Sequence, residues 1–170
     1  MKYILGLDPG QYKSAYILLK LSDDNCFEIE QKNWLDNDYM IKVLIKRCIE
    51  YSKIECAIET IVSYGNIIGQ STIDTSIWAG QYFRLLKDLK QEVYFLTRPD
   101  IKLNLCHNRA AKPKNVIQSL KDRFGDLGTK QNPGKLYDLK LNVPKGSRDH
   151  LWSALAISIT YIDKNHGDAK

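Results

Sequence analysis

A chain of 170 residues with 44% hydrophobic content can bury a real core but is too short for two comfortable domains, so one domain over residues 1–170 is expected. The net charge of +5 suits an ordinary soluble protein as well as a polyanion binder. Its distribution favours a phosphate-bearing partner: residues 98–148 carry 12 Lys or Arg against 4 Asp or Glu, which leaves +8 there and a slightly acidic remainder.

In chain order, residues 2–7 (KYILGL), 14–20 (SAYILLK) and 26–33 (CFEIEQKN) read as three strands of a meander, with turn chemistry at Ser22-Asp23-Asp24-Asn25. Residues 37–53 set Met40, Val43, Leu44, Cys48 and Tyr51 at three- and four-residue intervals, one apolar stripe on a helix. Ile54 to Ile58 is a short apolar strand ending at Glu59, and residues 72–90 carry Ile77, Trp78, Tyr82, Leu85, Leu86 and Leu89 at helical spacing. Residues 92–96 give a fifth strand. A helix over about 113–124 follows, because Pro113 suits a first turn and Gly125 a stop. The polar stretch 125–148 reads as a long loop or ribbon. Residues 149–162 (DHLWSALAISITYI) form an apolar helix with Asp149 at its start, placed to cap the free amides and to meet the favourable end of the dipole. Trp78, Tyr82 and Trp152 are most simply core aromatics on these helix stripes.

No apolar run approaches 18 residues and no charged leader precedes one, which argues against membrane spanning and secretion and for a cytoplasmic location. Cys26, Cys48, Cys56 and Cys106 form no CxxC pair and read as reduced thiols.

Asp8 and Glu59 each follow an apolar run that should be a central strand, and Asp149 begins the last helix. Singly, each is ordinary: Asp-Pro-Gly is a common turn, Glu59 a strand-end acid and Asp149 a helix cap. If the two strands are neighbours and the helix crosses them, three carboxylates converge and their repulsion calls for a hard divalent cation such as Mg²⁺. Two such ions could activate a water and stabilise the leaving oxygen of a phosphodiester.

With these residues in place, GLDPGQYKSAYIL resembles the first motif of the RuvC-type Holliday junction resolvases of the ribonuclease H-like superfamily. AIETIVSYGN followed by IWAGQYFRLL resembles the second, including the Gly80-Gln81 pair, and RDHLWSALAISI resembles the third. The resemblance spans nearly the whole chain. It implies an α/β ribonuclease H-like fold, a mixed five-stranded sheet flanked by helices, and a homodimer that cleaves four-way DNA junctions by paired nicks using Mg²⁺, with Mn²⁺ as a substitute. It carries the metal-binding carboxylates over to Asp8 and Glu59. The third motif departs from the pattern, with Ser153 where an aspartate is usual. Either Asp149 completes the metal site with His150 beside it, as a further ligand or general base, or the site is impaired and the chain is a catalytically weak nucleic-acid-binding module. Actin-like and sugar-kinase ATPases begin similarly but need a second phosphate-binding lobe, for which 170 residues leave no room.

Arg109, Lys112 and Lys114 lie just before and into the 113–124 helix, where free amides also favour anions. In the resembling family, basic residues of this region approach the scissile phosphate. Lys112 and Lys114 are the preferred phosphate contacts, with Arg148 beside Asp149 a third. Tyr64, in the loop after Glu59, is a candidate for stacking on an unpaired base, although a loop tyrosine more often packs on its own domain.

Overall fold

The computed structural model describes residues 1–62, 65, 67–125, 127–140 and 146–170. Three strands open the chain, β1 (Lys2–Asp8), β2 (Lys13–Leu21) and β3 (Phe27–Asp36), followed by helix α1 (Asn37–Tyr51) and strand β4 (Glu55–Thr60). Helix α2 (Gln70–Asp88), strand β5 (Glu92–Thr97), and helices α3 (Arg98–Cys106), α4 (Pro113–Phe124) and α5 (Arg148–Asn165) complete it, with a 3₁₀ turn at Tyr137–Lys140. The sheet is five-stranded and mixed, in the order β3-β2-β1-β4-β5. β1 pairs antiparallel to β2 and β2 to β3, while β1, β4 and β5 run parallel.

β1 is central and covered on both faces, which is why KYILGL is a nearly unbroken apolar run rather than an alternating one. Strand alternation then sorts its residues. Leu5 and Leu7, with Cys56 and Ile58 of β4, pack against Met40 and Leu44 of α1 and Tyr82 and Leu86 of α2. Ile4 and Ala57 face the other way, onto Leu155 and Ile159 of α5. Asp8, four residues on from Ile4, and Glu59, two on from Ala57, therefore belong to the α5 face.

Gly6 sets how closely α5 approaches. A Cβ there would lie 2.1 Å from Ser158 Oγ and 2.3 Å from the Ala154 carbonyl oxygen, so the helix rests on bare backbone. α5 runs antiparallel to β1: its first turn meets Asp8 and its last turn meets the start of β4, where Tyr161 and His166 both contact Glu55 Oε2, at 2.7 and 2.6 Å.

Several element limits differ from those expected. The third strand runs on to Asp36 rather than stopping at residue 33, held by pairing with Lys13 and Ser14 at the far end of β2. The first helix stops at Tyr51, where Ser52 turns to φ 51°. The second begins at Gln70, earlier than residue 72. α3 has no counterpart in the sequence reading; it starts from a capping box in which the Thr97 hydroxyl accepts the Asp100 amide while the Asp100 carboxylate accepts that of Thr97. Asp149 is not a cap: Ser147 holds the N-cap position and Asp149 lies within the first turn, where the dipole still favours it.

All four cysteines are free thiols. No helix among the described residues is long and apolar enough to cross a membrane.

Candidate active site

The C-terminal end of β1 opens onto a cleft of about 640 Å³, walled by the loop after β1, the first residue of α3, the start of α4 and the first turns of α5. A buried polar network fixes the first wall. Asn37 Nδ2 donates to the carbonyls of Gly10 and Gln11, at 2.9 and 3.2 Å, and its Oδ1 accepts from the hydroxyls of Ser14 and Tyr82. Ser14, Asn37 and Tyr82 are all buried, so each must be paired to be tolerated there, and the pairing in turn pins the Asp8-Pro9-Gly10 corner. Gly10 is required at the corner because a Cβ would meet the Lys13 carbonyl at 2.2 Å.

Asp8 is buried, yet its carboxylate lies at the cleft. His150 Nδ1 is 3.0 Å from Asp8 Oδ2, and this contact holds the imidazole pKa above its ordinary value against the opposing effect of burial. The imidazole ring stacks on Trp34 of β3, with centroids 5.8 Å apart and planes 12° from parallel, and Lys13 Nζ sits 4.8 Å from the Trp34 ring centre. His150 is thus held by one bond and one stacked face.

Glu59 lies beside Asp8, one residue beyond the last paired residues, Leu7 and Ile58. Its side chain is 10% exposed. Burial, with the Asp8 charge adding to it, pushes the carboxyl up to about 7, against the pull of Arg98. Oε1 pairs with Arg98 Nε at 2.7 Å, whereas Oε2 is buried without a hydrogen-bond partner among the described residues. Arg98 Nη1 also reaches Ser153 Oγ at 3.4 Å.

Of the residues singled out in the sequence, Asp8, Asp149, His150 and Lys114 line the cleft, with Glu59 joined to it through Arg98. It is His150, not Asp149, that touches Asp8; Asp149 is exposed at the cleft wall. Arg109, Lys112 and Arg148 are exposed and do not line it, although Lys112 is the N-cap of α4, its amide donating to Asn115 Oδ1 at 3.1 Å, and so aims that helix start at the cleft. Tyr64 lies outside the described residues. Among the described residues, no group of three or more His, Cys, Asp or Glu side chains is arranged to hold a metal ion.

Arg98, Trp34 and Ser153 were not read as partners of the acids. Arg98 carried a usable signal, because it directly follows β5, the parallel neighbour of the strand whose end carries Glu59. Trp34 carried none, since its meeting with His150 depends on how far β3 extends.

No family model and no curated protein matches the chain. Solved structures do. The chain is similar to Thermus thermophilus RuvC at 16% identity and a TM-score of 0.64, over 99% of this chain and 98% of that one. It is similar to T. thermophilus RuvC in complex with a Holliday junction substrate, at 16% identity and a TM-score of 0.67, over 94% and 92%. It is similar to the yeast mitochondrial Holliday junction resolvase Ydc2, at 12% identity and a TM-score of 0.64, over 98% and 82%. The chain has the fold of these RuvC-type proteins.

Proposed function

We propose that the chain is a metal-dependent endonuclease for branched DNA, a crossover junction endodeoxyribonuclease acting on four-way junctions. The observation that carries this reading is the pairing of Asp8 and Glu59 at adjacent strand ends, with an orphaned carboxylate oxygen on Glu59. A buried carboxylate oxygen with no donor is costly, and a hard cation satisfies it. Two carboxylates, completed by water and phosphate oxygens, suit Mg²⁺, with Mn²⁺ as a substitute. Asp8 and Glu59 would hold the ion, with Asp149 the further acid on α5. When bound, the ion supplies Lewis-acid stabilisation of the phosphodiester and acidifies the attacking water.

The chain's own residues do the rest. Asp8 holds His150 through Nδ1, and Trp34 fixes the plane of the ring, so that Nε2 sits at a defined place; in the imidazolium form, which Asp8 favours, Nε2 can deliver its proton to the oxygen that leaves as water attacks phosphorus in line. Lys114, with Lys112, Arg109 and Arg148 at the rim, holds the backbone phosphates without reading sequence. Tyr64, which follows Glu59 in the sequence, would stack on an unpaired base. A four-way junction needs two nicks, and a homodimer supplies two clefts. Ile73 and Ile77 on α2 leave apolar surface exposed, which supports self-association.

A second reading rests on the Arg98–Glu59 ion pair, which neutralises one of the two acids: a junction-binding module with weak or no chemistry. One assay separates the two. Purified protein should nick synthetic four-way junctions in Mg²⁺ and spare plain duplex, and Asp8→Asn and Glu59→Gln should each slow cleavage on the order of 10²-fold or more while junction binding survives. Wild-type protein that binds junctions but cuts none in Mg²⁺ or Mn²⁺ is a binding module. Light scattering should give twice the chain mass of 19.6 kDa.

A further inference from the structure

The guanidinium of Arg98 occupies the half of the cleft between β4 and α5. Its Nε is 2.7 Å from Glu59 Oε1 and its Nη1 3.4 Å from Ser153 Oγ. The side chain is nevertheless 42% exposed, and the guanidinium is a wall of the cleft. Arginine stays charged at every working pH and carries five N–H donors in a fixed plane. Two are spent on Glu59 and Ser153, and the others remain for an anion.

That placement bears on how many cations the site takes. Two divalent ions side by side need a carboxylate that both can share and a further anionic donor on the α5 wall. Here Glu59 Oε1 is already engaged by a positive group. On the α5 side, the one acid at the cleft, Asp149, lies in the first turn beside His150, and the residue one turn past His150 is a neutral serine, itself bonded to that same guanidinium. A second divalent ion between Glu59 and Ser153 would have to sit against the guanidinium with too little negative charge to offset the repulsion. We propose, resting on the nuclease reading above, that Arg98 is a resident cation in place of a second metal: the site binds one divalent ion, on the Asp8 side, and Arg98 presents its remaining N–H groups to the phosphate being cut. Arginine is suited to this because its fork matches two phosphate oxygens.

The test counts ions rather than turnover. Mn²⁺ is titrated calorimetrically into the full chain with and without a four-way junction, and electron paramagnetic resonance reports whether bound ions are spin-coupled. Wild type should bind one Mn²⁺ per chain with an uncoupled spectrum, and Ser153→Asp should still bind one, its new carboxylate being neutralised by Arg98. Arg98→Ala combined with Ser153→Asp should bind two, with a coupled spectrum. Arg98→Ala alone should weaken junction binding measured without metal and make the log–log salt dependence shallower by about one unit per chain. Two coupled ions in wild type overturn the inference and leave the nuclease reading standing, as does a salt slope unmoved by Arg98→Ala. No Mn²⁺ bound to wild type, with or without junction, overturns the nuclease reading and this inference together. Circular dichroism checks each variant's fold, and if the double variant fails to fold, the wild-type count decides.

Discussion

Glu59 illustrates how a single carboxyl links site and stability. Its folded pKa of about 7 lies above the ordinary 4.5, chiefly through burial, so between those values the folded chain holds a proton that the unfolded chain has released. The stability this contributes is complete below pH 4.5 and is lost as pH rises to about 7. His150, also raised, acts in the same direction over its own range. Metal-free protein should therefore melt at a lower temperature as pH climbs from 4.5 to 7, by an amount equivalent to a few kcal/mol, and Glu59→Gln should flatten most of that fall. Thermal melts of both proteins in chelator-treated buffer check this, and a Glu59→Gln curve as steep as wild type would refute it. The same residue scale separates Asp149 from His150. Because His150 touches Asp8 and Asp149 only lines the cleft, His150→Ala should slow junction cleavage by about 10-fold to 100-fold. Asp149→Asn, measured alongside in Mg²⁺ and Mn²⁺, should cost less if its part is to bias the field. Equal losses would restore Asp149 as a direct ligand.

At the scale of elements, the five strands and four of the five helices were legible: the strands and α5 as apolar runs, α1 and α2 by their stripes, and α4 by Pro113 and Gly125 at its ends; the burial of β1 on both faces explains its unbroken run. The acids at the ends of β1 and β4 were legible for the same reason, since they interrupt such runs. α3 was not: nine residues hold too few turns for a stripe, and its clearest mark, the Thr97–Asp100 capping box, is local chemistry that periodicity does not see. Nor was the closeness of α5 to β1, although it sets the site, because a glycine in a strand does not announce what rests on it. Gly6→Ala tests that closeness. The new methyl meets a backbone carbonyl as well as Ser158 Oγ, so α5 must shift, and with it His150 away from Asp8. We expect a loss of about 1–3 kcal/mol or more in urea unfolding, without rescue by Ser158→Gly, since the Ala154 carbonyl remains. Unchanged stability would mean that the helix has slack.

For the whole molecule, the charge asymmetry of the sequence becomes a geometry. The basic stretch 98–148 includes α3 and α4 and ends at the start of α5, so it begins with Arg98 inside the cleft, passes Lys114 on its wall, and has Lys112 and Arg109 exposed outside it. A duplex arm entering the cleft would meet these charges in succession while its scissile phosphate faces Asp8 and Glu59. Attraction by the rim is then what offsets the repulsion between phosphate and the two acids, a division of labour that cannot be seen from net charge alone. Lys112→Ala with Lys114→Ala removes two rim contacts and leaves the acids untouched. Junction affinity should fall for all sequences alike, and the log–log salt slope should become shallower by about two units per chain, since each lost phosphate contact is worth roughly 0.9. Cleavage at saturating protein should change far less than affinity, because neither lysine is bonded to Asp8, Glu59 or His150. Titrations of labelled junctions between low and moderate salt measure both quantities. Wild-type slope and affinity in the double variant would mean that α4 is only a solvated face, and the phosphates would have to be held from another wall of the cleft.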